Sequence, residues 1–74
     1  MSRQSFRVTV EVYPSPAFVL DVTAVVGGDD RRVWAEVDGF PGCFAAAEPP
    51  TGLRAAVEDA VNVYLRRAAT AEDS

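Results

Sequence analysis

Hydrophobic and polar residues alternate along the first two thirds of the chain, and the period then changes. Phe6, Val8, Val10 and Val12 interleave with Arg7, Thr9, Glu11 and Tyr13. A period of two built on β-branched residues predicts a strand over Phe6–Tyr13 with one wet face. Pro14–Ala17 ends it, because proline has no N–H to give to a ladder. A second strand is expected over Phe18–Val26. Phe18, Leu20, Val22, Ala24 and Val26 form one face, and Val19, Asp21, Thr23 and Val25 form the other. Only Asp21 and Thr23 are polar there, so something is expected to cover the second face as well. The following GGDDRR run reads as a polar turn in which glycine is free to take positive φ.

Val33–Asp38 alternates again, with Val33, Ala35 and Val37 opposite Trp34, Glu36 and Asp38. Gly39–Gly42 makes a tight corner, and Cys43–Ala47 is a short strand of mostly small residues. After EPPTG the spacing turns helical. Leu53, Ala56, Val57, Ala60 and Tyr64 recur at three and four, with Arg54, Glu58, Asp59, Asn62 and Arg66 on the opposite side. This predicts a helix over Leu53–Ala68, capped by Thr51 or Gly52, with Arg66 and Arg67 in its last turns. Residues 69–74 read as a flexible polar tail. Val61, Val63 and Leu65 widen the apolar stripe beyond what one sheet face needs, a hint of a partner.

Four strands and a terminal helix predict one α+β domain. Its architecture is an antiparallel four-stranded sheet with the helix packed on one face, in the order β-β-β-β-α. The other sheet face is then open unless something covers it; Trp34, Val19 and Val25 are candidates for it, and the pattern leaves open which face the helix takes.

Composition narrows the function. A chain of 74 residues has a thin core and gains most from association. With one cysteine and no histidine, neither an internal disulfide nor an ordinary zinc site is available. A homo-oligomer, a stable partner, or both are therefore expected. The net charge is −4 from 7 basic and 11 acidic residues, which argues against independent nucleic-acid binding and suits a basic partner. The sequence carries no apolar run of about 20 residues and no signal-peptide layout, so the expected setting is the cytoplasm, without membrane contact.

The chemistry-bearing residues are few. Cys43 lacks the histidine that would activate a thiol, and it sits among Phe40, Pro41 and Phe44, so it reads as a small buried hydrophobe. Glu36 and Asp38 share a strand face. Such a pair can hold Mg²⁺ or exchange protons, but with no third ligand in view it reads as a solvated face. The VVGGDD run lacks the helix that a phosphate cradle requires. No catalytic residue, cofactor or metal is expected, and the chain reads as a non-enzyme. A protein-binding module, a self-associating structural domain and a small-ligand carrier all remain open on the residues.

The segment WAEVDGFPGCF followed by LRAAVEDAVNVYL resembles the HicB-like antitoxin family. The resemblance rests on Ala35, Glu36 and Val37, on the corner Phe40, Pro41, Gly42 and Cys43, and on the helical core Ala56, Val57, Glu58, Asp59 and Ala60. It covers about residues 18–68. It implies a small sheet with one helix, a degraded RNase H-like fold without catalytic residues. It also implies a partner, a small basic mRNA-cleaving toxin of the HicA type, bound and masked by the domain. The expected contacts with that partner are the sheet edges, by strand pairing, and the open sheet face with Trp34, Glu36 and Asp38. Assembly as a dimer or tetramer is likewise implied. The corner residues Phe40 to Cys43 are expected to be structural. The chain departs from the family pattern in lacking a strand after the helix and a DNA-binding segment. Its N-terminal strand is extra, and is expected to fill the vacant sheet edge.

Overall fold

The computed structural model describes residues 1–72, with side chains through Thr70. The alternating stretches become four strands, β1 Ser2–Val10, β2 Phe18–Gly28, β3 Val33–Val37 and β4 Phe44–Ala47. They pair in the order β1-β2-β3-β4, each antiparallel to the next. A 3₁₀ turn over Pro50–Gly52 leads directly into helix α1, Leu53–Glu72. The helix lies across one sheet face, so the domain is α+β as the pattern predicts.

Alternation sorts the residues into two faces, and the helix covers the one that carries the valines and alanines. Val8, Val10, Val22, Ala24, Val26, Ala35, Val37, Cys43 and Ala45 are buried there against Leu53, Val57 and Val61. Burying one such valine is worth about 1.5–3 kcal/mol. Ala24 and Ala35 are fully covered, and their small size lets the helix settle close to the sheet. The helix therefore uses Leu53, Val57 and Val61 as its deepest line. Val61 belongs to the core and not to a surplus awaiting a partner, whereas Val63 and Leu65 are half-buried.

Strand boundaries move where pairing overrides the local pattern. β1 begins at Ser2, because β2 runs on to Gly28 and gives Ser2 a partner in Val26. It stops at Val10, opposite Phe18, so Glu11–Tyr13 have no strand to pair with. Asp38 and Cys43 fall just outside β3 and β4, in the corner between them. At the other end, α1 continues to Glu72, through residues expected to form a tail. Alanine at 68, 69 and 71 favours that continuation. Arg66 and Arg67 are thus more than a turn from the helix end, and no base lies in the last turn. Residues 73 and 74 of the expected tail lie outside the described residues.

The helix seals one sheet edge along Arg7–Glu11. The expected polar outer side of α1 instead turns Arg54, Glu58, Asn62 and Arg66, each four apart, toward β1. The Thr9 amide donates to Glu58 at 2.8 Å and the Glu11 amide donates to the Asn62 carbonyl at 2.7 Å. The Asn62 amide in turn donates to the carbonyls of Thr9 and Glu58. Arg54 and Arg66 donate to the carbonyls of Arg7 and Glu11. Four helical residues rise about 6 Å and two strand residues about 6.8 Å, so the side-chain row keeps step with the outward groups of alternate strand residues. Asn62 is consequently buried.

The Glu58 carboxylate is held below its ordinary pKa of 4.5, first by the Thr9 amide and then by Arg54. The Asp29 carboxylate is held below its ordinary 3.8 by the amides of Arg31 and Arg32. A depressed folded-state pKa contributes stability above the unfolded value, and that contribution is lost as pH falls through the folded value. The thermal midpoint is thus expected to drop once pH falls below 4.5. Glu58→Gln still accepts the Thr9 N–H but does not titrate. Its midpoint should start lower at neutral pH and fall less steeply in acid. Parallel acid limbs in the two proteins would rule out this role for Glu58.

Candidate protein-binding face

The sheet face away from the helix is built by the other half of each alternation. Register places Gly27, Trp34 and Ala46 in one row across β2, β3 and β4, and Val25, Glu36 and Phe44 in the next. Trp34 is the central feature. A Cβ on Gly27 would lie 2.7 Å from the indole Cε2, so the ring rests on the glycine backbone and only glycine leaves room for it. The indole remains 39% exposed although one side is supported. Phe44 and Val19 add apolar area, at 61% and 60% exposure.

Charges surround this apolar strip. Arg7 pairs with Asp21 at 3.1 Å and Arg3 with Asp38 at 3.5 Å, both exposed. Solvent screens such exposed pairs, so they add little to stability. Among the described residues Glu36 enters no ion pair. It stands between Val25 and Phe44 as a free acid in an apolar surround. The structure therefore brings Trp34 and Glu36 onto one exposed face. Asp38 sits at its margin, its amide donating to the Thr23 carbonyl at 2.8 Å and its carboxylate turned to Arg3.

The corner residues are accounted for by two consecutive turns. The Phe40 amide donates to Val37 and the Cys43 amide donates to Phe40, while Val37 donates to Cys43 to start the β3–β4 ladder. Gly39 at φ 81° and Gly42 at φ 80° occupy the third position of each turn. Pro41 precedes Gly42, the pairing that a type II turn prefers. Phe40 tilts against Tyr64 of the helix, with ring centroids 5.2 Å apart. Cys43 is 3% exposed, and burial pushes its thiol pKa up, the opposite of what a nucleophile needs. Phe40, Pro41, Gly42 and Cys43 thus form a structural corner.

Two features escape the sequence pattern. The space that Gly27 gives Trp34 is visible only once β2 and β3 are in register. Beside β4 lies an open groove of about 380 Å³, lined by Phe44, Ala45 and Ala46 on the strand and by Ala56, Ala60 and Val63 on the helix. No helix among the described residues is long and apolar enough to cross a membrane. Comparison with family models, with curated proteins and with solved structures returns no match.

Proposed function

We propose that this chain is a non-catalytic protein-binding module of the HicB type, acting in the cytoplasm, whose open sheet face binds and masks a small basic mRNA-cleaving toxin of the HicA type. The observation that carries the proposal is the exposed Trp34 indole, fixed on Gly27 beside Glu36, which enters no ion pair among the described residues. A rigid aromatic on a supporting backbone loses little entropy when it is covered, which is what makes tryptophan an anchor at interfaces. The acidic surround and a net charge of −4 attract a basic surface and repel RNA. The corner residues Phe40 to Cys43 serve this site indirectly, by setting the β3–β4 hairpin on which it stands.

The test is titration of a HicA-type toxin with the purified chain, reading both heat of binding and mRNA cleavage. Cleavage is expected to be suppressed at equimolar chain. Trp34→Ala is expected to weaken binding at least about tenfold. Glu36→Lys is expected to weaken it further as salt is lowered, since added salt screens the unfavourable charge. Binding unaffected by both substitutions would overturn the assignment of this face. Absence of binding by the wild-type chain would overturn the toxin reading itself.

A further inference from the structure

The two edges of the sheet are treated differently. Along β1 the outward groups from the Arg7 carbonyl to Glu11 are taken by the helix, and the rest of that edge carries the exposed polar residues Ser2, Arg3, Gln4 and Ser5. Polar and charged residues of that kind discourage strand addition. Along β4 nothing does so. The Val37 amide donates to Cys43, which makes 37/43, 35/45 and 33/47 the hydrogen-bonded pairs. The N–H and C=O of Phe44 and Ala46 therefore point away from β3, and among the described residues no other backbone group meets them. Beside them lies the groove under Ala56, Ala60 and Val63.

We propose that β4 pairs antiparallel with β4 of a second copy of this chain, about a two-fold axis through Ala45. The pairing joins two four-stranded sheets into one of eight. Three features select a second copy. First, this register sets Phe44 opposite the second copy's Ala46 and Ala46 opposite its Phe44, so the four outward groups of each strand satisfy one another. Second, the row Gly27, Trp34, Ala46 then continues into the second copy's Phe44. Each exposed phenyl ring lies over a partner's alanine next to a partner's indole, while Ala45 is small enough to meet itself at the axis. Third, the helix flank bordering the groove carries one acid and one base, Asp59 and Arg67. Among the described residues neither enters an ion pair of its own chain. A two-fold axis between them sets each Asp59 against the second copy's Arg67. A partner of one charge sign would leave one of the two repelled.

The test is sedimentation equilibrium of the full chain over a wide concentration range. The mass of two chains is expected. Ala46→Pro removes an outward N–H that no intrachain bond uses, and proline is tolerated on an edge. That variant is expected to sediment as one chain with an unchanged circular dichroism spectrum. Asp59→Arg is expected to weaken the dimer about tenfold, and adding Arg67→Asp to restore it. Wild-type chain that stays at one-chain mass overturns the proposal. So does an Ala46→Pro variant that still dimerises, or a charge exchange that fails to rescue, which decides the matter should the proline variant not fold. Dimerisation of the chain alone and toxin binding at Trp34 are separate measurements, so either can fail without the other.

Discussion

Gly28→Ala is expected to destabilise the domain by about 3 kcal/mol, enough to leave a substantial fraction unfolded at 37 °C, given the roughly 3–5 kcal/mol that a core of this size supplies. Two costs add. Gly28 sits at φ 126°, where an L side chain is strained. That conformation costs about 1–2 kcal/mol. A Cβ there would also collide with the Arg32 carbonyl and lie 2.7 Å from the Val33 Cα, which are backbone atoms and cannot swing aside. Relieving such overpacking costs about 1–3 kcal/mol more. The hairpin between β2 and β3 would have to open, and with it the Asp29 turn, whose carboxylate accepts the amides of Arg31 and Arg32. Gly39→Ala separates the two costs. Gly39 has φ 81° but no heavy atom within 4 Å of a Cβ, so only the conformational cost remains. Its expected loss is about 1 kcal/mol. Urea denaturation of both variants checks this. Equal midpoints would mean that the collision contributes nothing.

These two glycines also show how the fold can be read from the sequence and where reading stops. Gly39 and Gly42 flank Phe40-Pro41, a corner that turn chemistry announces locally. Gly28 reads as a turn glycine free to take positive φ, but the collision does not show, because the backbone it must avoid lies four and five positions away across a hairpin. The same limit explains the strand ends. Phe18–Val26 and Val33–Val37 are legible because each buries one face, and the helix start at Leu53 is legible because the period changes there. The polar run from Ser2 to Ser5 carries no alternation of its own. It becomes strand because β2 is long enough to pair with it. Alternation alone puts Trp34 and Glu36 on one face, and the packing of the helix on the other face makes theirs the open one. The glycine beneath the indole and the free edge of β4 depend on register, which the local pattern does not contain.

Asn62→Leu is expected to cost about 2 kcal/mol, although it places a larger apolar side chain at a buried helical position. Pattern reasoning favours the substitution, since Asn62 lies one position from Val61 and the site is 8% exposed. The hydrogen bonds decide otherwise. Asn62 accepts from the Glu11 amide at 2.7 Å and donates to the Thr9 carbonyl at 3.0 Å, holding the helix against the edge of β1. Leucine leaves both backbone groups facing a hydrocarbon. Both bonds are part-buried, and each backbone group left unpaired there costs about 1–3 kcal/mol, against roughly 1.5 kcal/mol regained from leucine burial. The net loss lowers the thermal midpoint by about 8–16 °C at 4–8 °C per kcal/mol. Amide exchange gives a local readout. The Glu11 N–H should lose protection out of proportion to the global change, while the Thr9 N–H, still bonded to Glu58, follows the global stability. The opened edge also exposes a strand to pairing, so the variant should aggregate more readily at high concentration. If the midpoint stays within a degree of wild type, water or backbone movement satisfies these groups. The sealed edge would then owe its integrity to Arg54, Glu58 and Arg66 alone.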